Sequence, residues 1–492
     1  MISDFFESDP SLALALDQYE LTMASGYLKS GLAETEAEFH MFFRTLPFGG
    51  GYVIMAGLES LISILNRFRF SPRDTAYLAT LKDNMGEPLF DPPFLDYLQE
   101  LVFTCDVMAV EEGTPVFPNE PLVRVRGPLI QAQLLESILL NTLNFQSLVA
   151  TKAARICHAA QGDPVVEFGF RRAQGLDGAL SAARAAYIGG CVGTSNTLAG
   201  KWYGIPVMGT HAHSWVMLFD TELEAFEAFS QAMPHNCVFL VDTYNTLEGV
   251  KNAIRVGLNM KARGVDMVGI RLDSGDLAYF SQAARRMLDE AGLDKAVIMA
   301  SNELDEYLIR SLKLQGAAIG AWGVGTKLAT CQDDPALGGV YKLTAVRKKG
   351  QDWQNKLKMS EQSVKITIPG IQQVYRYEDS NGMFIADAIV EHTEKPENVE
   401  RIIDPNDPLR TKRLKDYASA EPLLKPVFQA GRQVVTTPLL AAVRQRTADQ
   451  LKKLDPSHHR FENPHVYPVG ISPTLHRIRD DMVNAIRASF SG

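Results

Sequence analysis

The sequence predicts an α/β protein: its central stretch forms a parallel sheet, either a β/α barrel or a doubly wound sheet, and its two flanks form a second domain beside it. Three observations carry this. Seven short apolar runs between residues 164 and 326 each end in a polar or Gly-rich cluster, at intervals of roughly 16 to 32 residues. Most of them lead into a helical pattern. Neither flank keeps that beat, which sets the expected boundaries at 1–150, 151–345 and 346–492.

Residues 1–150 mix helical runs with a Gly-rich turn, "LPFGGGY" (46–52), and a β-like piece, "GTPVFPNEPLVRVRGP" (113–128). The central runs then follow in order: "PVVEFGFRR" (164–172), "GGCVGTSN" (189–196), "IPVMGTHAHS" (205–214), "CVFLVDTYN" (237–245), "DMVGIRLDSGD" (266–276), "AVIMASNEL" (296–304) and "AAIGAWGVGT" (317–326). Between them, Asn245 is placed to cap a helix with Glu248 reaching back as a capping box, and Leu247, Val250, Ile254 and Leu258 are expected on one buried face. Leu277, Phe280, Ala284 and Met287 make the same stripe after "RLDSGD". From about 341 onward the chain is strand-rich again. Asp379, Ser380, Asn381 and Gly382 read as a hairpin turn, because Asn-Gly tolerates the positive φ such turns need.

Composition bounds the function. The chain has 492 residues, 46% hydrophobic and 22% charged, enough for a large core, and a net charge of -9 that argues against a nucleic-acid surface. Five scattered cysteines without C-x-x-C spacing indicate neither a disulfide framework nor a cysteine zinc site. The acidic N-terminus lacks a basic leader, and no window approaches the roughly 18 apolar residues of a membrane span. The expectation is a cytoplasmic, unprocessed protein.

The chemistry gathers at predicted strand ends, where ligands sit in both candidate folds. His211 and His213 would share a face of an extended strand, as a zinc pair can, but a zinc site needs further ligands and only His458 and His459, far along the chain, form another pair. A structural histidine and a nucleophilic or acid/base histidine both remain open. "RLDSGD" joins Arg271, Asp273 and Asp276 across a strand-to-helix turn, suited to phosphate, ribose hydroxyls or Mg²⁺, although a capped, solvated loop would look the same. "GVGT" (323–326) is a second phosphate cradle by type, and "EFGFRR" sets Phe168 and Phe170 beside Arg171 and Arg172. Together the residues describe an enzyme-like sheet for a phosphorylated, ribose-containing anion without naming a reaction.

The ordered set "DQYELTM" (17–23), "EFGFRRAQG" (167–175), "GTSNTLAGKWYGIPVMGTHAHSW" (193–215), "DTYNT" (242–246), "RLDSGDL" (271–277) and "GVGTKL" (323–328), with "KMSEQSVKITIPGIQQVYR" and "LLKPVFQAGRQV" toward the C-terminus, closely resembles the nicotinate phosphoribosyltransferases. The resemblance implies an irregular β/α barrel of the type II phosphoribosyltransferases, with a second α/β domain built from the N-terminal region and C-terminal segments. It implies a homodimer with active sites at the interface. The implied reaction joins nicotinate to phosphoribosyl pyrophosphate, coupled to ATP hydrolysis, in NAD salvage. Mg²⁺ would accompany the phosphates, held mostly by substrate oxygens and water, with no organic cofactor and no confident protein metal site. Residue by residue, His213 corresponds to the histidine that ATP phosphorylates, with His211 its neighbour. Tyr19 corresponds to a tyrosine that reaches the pyridine ring from the partner subunit, opposite Phe168. Arg171, Thr210 and Arg271 resemble contacts to substrate anions, Asp273 the ribose-facing carboxylate, and Gly323, Gly325 and Thr326 the 5-phosphate cradle, with Asp242 nearby. Where the related nicotinamide enzyme carries an Asp, this chain has Ser195, whose hydroxyl can donate to a carboxylate.

That serine disfavours a nicotinamide phosphoribosyltransferase. A quinolinate enzyme would leave the His213 motif without a task. A catalytically silent nucleotide-binding relative is the alternative from another class, and turnover discriminates it. A sugar-phosphate aldolase or isomerase would require a Schiff-base lysine or enolising base, which these clusters do not offer.

Overall fold

The computed structural model describes residues 12–361 and 366–490, so Gln362, Ser363, Val364 and Lys365 of the strand-rich C-terminal phrase lie outside the described residues. The chain divides into two compact units. The barrel unit takes residues 148–336 and a short later segment, 440–448, and the remainder forms the flanking unit. The helix Glu136–Ala159 runs through the expected boundary at 150, and residues 440–448 join the barrel unit although they lie beyond the expected boundary at 345.

In the barrel unit six parallel strands line up: β1 (Val165–Glu167), β2 (Gly193–Thr194), β3 (Val238–Leu240), β4 (Gly269–Leu272), β5 (Val297–Ala300) and β6 (Ala321–Val324), in the spatial order β2-β1-β6-β5-β4-β3. Their residues are mostly buried, as strands covered on both faces must be. Trp322 lies between β1 and β5 with no exposure, and its indole N–H donates to Asp163 Oδ2 at 3.0 Å.

Six of the seven expected runs are these strands. The seventh, 205–214, supplies only a parallel bridge between Val207 and Thr194, because Pro206 has no N–H to donate. Beyond that bridge the His211 ring reaches the far edge of the sheet, where Nε2 accepts from the Leu240 N–H at 3.3 Å. A side chain thus links the two edge segments where backbone pairing stops.

The helices differ from expectation in an instructive way. Asn245 caps the helix Thr246–Ala262, accepting from the Glu248 N–H at 3.1 Å, but the Glu248 carboxylate pairs with Lys251 rather than closing a capping box. The buried stripe is Gly249, Val250, Ala253, Val256, Gly257 and Met260, and Leu258 is exposed. A Cβ on Gly249 would stand 2.0 Å from the Val241 carbonyl oxygen. At such an approach only small residues fit beneath the helix, so the larger residues are turned aside. On Leu277–Glu290, capped by Asp276, Leu277 and Ala284 are buried as expected, Phe280 and Met287 are only half-buried, and Ala278, Ser281, Ala283 and Leu288 complete the face.

The flanking unit interleaves both ends of the chain. Its larger sheet runs Gln354–Asn355, Gly339–Arg347, Glu36–Phe43, Val123–Pro128, Asp106–Ala109, Lys425–Gln429, Arg432–Gln433, so three N-terminal strands sit between C-terminal ones. A second, six-stranded sheet holds the predicted hairpin, Gln372–Glu378 with Phe384–Glu391, and Gly382 takes φ 77° in its turn. Among the described residues no helix is long and apolar enough to cross a membrane.

Candidate active site

A cavity of about 390 Å³ opens at the carboxyl ends of the barrel strands. It is lined by Phe168, Arg171, Ser195, Thr210, His213, Arg271, Asp273, Gly323, Gly325 and Thr326, ten of the residues singled out from sequence. Asp242 does not line it, and Tyr19 belongs to the flanking unit, half-exposed on the helix Gln18–Lys29. Burial, with Glu136 and Glu20 nearby, raises the Tyr19 phenol pKa, so it remains a hydroxyl donor.

His213 begins the short helix His213–Met217. Its Nδ1 lies 3.1 Å from Thr243 Oγ1 and its Nε2 lies 4.0 Å from Asp273 Oδ2. The ring is therefore oriented from the end of β3 and faces a carboxylate at the end of β4. About two-fifths of the side chain is open to solvent, enough for a ligand to reach it.

Asp242 shapes this site from behind. Its Oδ2 accepts from the Asp273 N–H at 2.9 Å and from the Ser274 hydroxyl at 2.6 Å, tying the end of β3 to the turn after β4. Asp273 then receives the Ser301 hydroxyl on Oδ1, which leaves Oδ2 toward His213. Arg271 donates from Nη1 to Thr210 Oγ1 at 2.6 Å while its Nε, buried, has no hydrogen-bond partner. Burial lowers its pKa, Asp273 and Asp242 oppose that, and Arg171 adds to it. A guanidinium kept charged in a buried site with one N–H unspent is a natural anion contact.

His211 takes the structural role. Its ring packs against Phe229, Phe226 and Phe239, and burial, with Arg271 and His213 contributing, lowers its pKa to about 4. It is neutral at ordinary pH, as its acceptor role to Leu240 requires.

At the end of β1, buried Glu167 accepts from the Thr194 hydroxyl at 2.5 Å and from the Gly169 N–H, which holds the Phe168 and Ser195 turns together. Desolvation raises its pKa against those two bonds. Gly323 has a specific reason to lack a side chain: a Cβ would stand 2.6 Å from the Phe168 ring. Its first job is therefore to seat Phe168, whereas Gly325 and Thr326 form the turn into the helix Thr326–Ala329. Sequence reading did not assign Thr243, Ser301, Glu303 or Glu167. All four stand inside strand-end clusters already legible as such, and Asn302, in the same cavity, holds φ at 111°.

The chain matches the nicotinate phosphoribosyltransferase N-terminal domain over residues 14–144, the nicotinate phosphoribosyltransferase family over 164–365 and the corresponding C-terminal domain over 371–479. It is 43% identical over 468 residues to a nicotinate phosphoribosyltransferase of Bacillus subtilis, covering 94% of each chain. It is 41% identical to one from Mycobacterium tuberculosis, covering 94% of this chain and 92% of that one. The crystal structure of the human nicotinic acid phosphoribosyltransferase superposes with a TM-score of 0.83 at 32% identity, covering 94% of this chain and 99% of the human one. A nicotinate-nucleotide pyrophosphorylase from Pyrococcus furiosus, 24% identical with a TM-score of 0.70 over 91% of this chain and 97% of its own, shares the fold.

Proposed function

The chain belongs to the nicotinate phosphoribosyltransferase family, and from that premise we propose that it joins nicotinate to phosphoribosyl pyrophosphate in NAD salvage, using ATP through a phosphohistidine on His213. The observation that carries the reading is the meeting of His213, Asp273, Arg271 and the Gly325–Thr326 turn around one cavity.

In the energy-coupling step a ring nitrogen of His213 attacks the γ-phosphorus of ATP, the N–P bond forms and ADP leaves. Thr243 fixes the ring during attack, and water later discharges the phosphate. In the glycosyl step the pyridine nitrogen attacks the ribose anomeric carbon as the C–O bond to pyrophosphate breaks. The transition state has oxocarbenium character, so the protein's work is to hold leaving group and nucleophile in line. Asp273, fixed by Ser301 and by the Asp242 brace, faces the ribose. Arg171 and Arg271 meet anions, Ser195 donates to the nicotinate carboxylate, and Phe168 forms one wall of the pyridine slot. Asp273 and Glu303, the carboxylates lining the cavity, would join the shell of a Mg²⁺ accompanying the phosphates, which would neutralise charge on the leaving pyrophosphate.

The working form is a cytoplasmic homodimer in which Tyr19 of the partner subunit faces Phe168. Exposed Val207, Met208, Met217 and Leu218 near the cavity support a covered face there. The test is mononucleotide formation with and without ATP, for the wild type and His213→Ala. ATP is expected to raise turnover only in the wild type. No product from the wild type under any condition would leave a silent nucleotide binder.

A further inference from the structure

The flanking unit contains a larger cavity, about 700 Å³, that the proposed reaction does not use. Four segments wall it, around residues 44–46, 117–119, 402–412 and 460–469. Its charge is opposite to that of the chain, whose net is -9: Arg44, Arg410, Lys412 and Arg460 line it with one carboxylate, Asp404. That carboxylate is already engaged, since its Oδ1 accepts from the N–H groups of Asn406 at 2.8 Å and Asp407 at 3.3 Å.

The cations are poorly compensated. Lys412 is half-buried and its ammonium donates to the Ile385 carbonyl at 2.7 Å, with burial pulling its pKa down. Arg44 lies over the Phe42 ring at 5.6 Å, and burial likewise lowers its pKa. Among the described residues neither forms an ion pair. The Arg410 pair with Asp407 is long, 3.5 Å, and exposed, hence weak.

The floor is stiff. Tyr467 stacks on Phe117 at 3.9 Å and donates its hydroxyl to Asp387 at 3.0 Å, and Arg376 grips the same carboxylate. Asn119 and Asn463, both at the wall, hold left-handed φ of 70° and 47°, a conformation asparagine tolerates. Beside the cations Val466 is two-thirds exposed next to Pro464, an apolar shelf at the same opening. Under-compensated cations over a rigid floor, in a volume well beyond that of a bare phosphate, describe a ligand with several phosphates and a flat apolar part.

We propose that this cavity binds a nucleoside di- or triphosphate, with the phosphates against Arg44, Lys412 and Arg460 and the base on the Pro464–Val466 shelf. It is a second nucleotide site, carried by the flanking unit and distinct in its residues from the barrel cavity.

Equilibrium dialysis of the full chain with labelled ADP tests it. The wild type is expected to bind two equivalents per chain. Arg171→Glu should remove the barrel equivalent alone, whereas Arg460→Glu should weaken the other at least about tenfold, as loss of a charge-assisted phosphate contact does. Arg460 is exposed, so its replacement leaves the core untouched, and Arg460→Lys should keep most of the affinity. Lys412→Met should act like Arg460→Glu. One equivalent in the wild type that Arg171→Glu releases and Arg460→Glu does not, or two retained in both Arg460→Glu and Lys412→Met, overturns the proposal. Inorganic pyrophosphate should displace ADP from this site more weakly than unlabelled ADP does. Equal displacement would remove the base from the assignment. Failure of Arg171→Glu to release its equivalent would instead count against the barrel site.

Discussion

At the scale of single residues, space and hydrogen bonding decide what each position can do. Gly323 makes room for a ring, so Gly323→Ala forces Phe168 to move or the backbone to shift, a cost of about 1–3 kcal/mol for overpacking. The expected result is a KM for nicotinate raised roughly tenfold, more than the KM for phosphoribosyl pyrophosphate, in steady-state assays. An unchanged nicotinate KM would return Gly323 to a phosphate role alone. Ser195→Asp places a carboxylate opposite that of nicotinate. Nicotinate turnover should fall and some nicotinamide use appear, and unchanged discrimination would remove Ser195 from the specificity argument. Asp242→Ala deletes the carboxylate oxygen that accepts both hydrogen bonds from the Asp273–Ser274 turn. Leaving the Asp273 N–H without a partner costs about 1–3 kcal/mol. A fall in the thermal midpoint together with kcat is expected, and full activity would show that the turn holds without its brace.

At the scale of elements, the barrel unit has a seam that a side chain closes. His211 accepts from Leu240 only while neutral, and its folded pKa of about 4 lies below the ordinary 6.5. Above pH 6.5 folded and unfolded chains both carry it neutral, so pH has no leverage there. As pH falls from 6.5 toward 4 the unfolded chain binds a proton that the folded one refuses, and stability drops, by about 2 kcal/mol at pH 5. Urea midpoints at pH 7 and pH 5 measure this. His211→Gln should flatten the difference while lowering the pH 7 midpoint, because the ring packing is lost. An equally steep acid slope in the variant would place the titrating group elsewhere. The helix Thr246–Ala262 teaches the complementary lesson. Its 3.6-residue period was readable, yet the buried face is centred on Gly249, Ala253, Val256 and Met260 rather than on Leu247 and Leu258, and at Gly249 the Val241 carbonyl lies too near for any side chain.

At the scale of the whole molecule, the two ends of the chain depend on each other inside one sheet. Glu36–Phe43 is bordered by Gly339–Arg347, and Asp106–Ala109 by Lys425–Gln429. A chain ended at residue 336 would leave both N-terminal strands with unpaired edges, which invite aggregation. Such a chain should yield no folded flanking unit by circular dichroism and should elute as aggregate in gel filtration. A folded, monomeric product would mean that the N-terminal strands suffice.

Much of the site could be read from the sequence because strand-end chemistry is local. A run such as "RLDSGD" or "GVGT" carries its turn, its glycine and its charge in a few adjacent residues, and parallel β/α order brings successive strand ends to one rim, so ten of the twelve named site residues line one cavity. What the sequence could not decide were relations between distant residues. It left His211 open between ligand, nucleophile and structural group until the Leu240 N–H and three phenylalanine rings fixed its tautomer and charge. It set Asp242 near the chemistry but could not show it bracing the Asp273 turn, nor Thr243 holding His213. Nor could it gather Arg44, Lys412 and Arg460, which stand more than four hundred residues apart at the extremes, around one cavity. Periodicity and turn chemistry act over a few residues, whereas burial, shared hydrogen bonds and uncompensated charge exist only once the chain has folded back on itself.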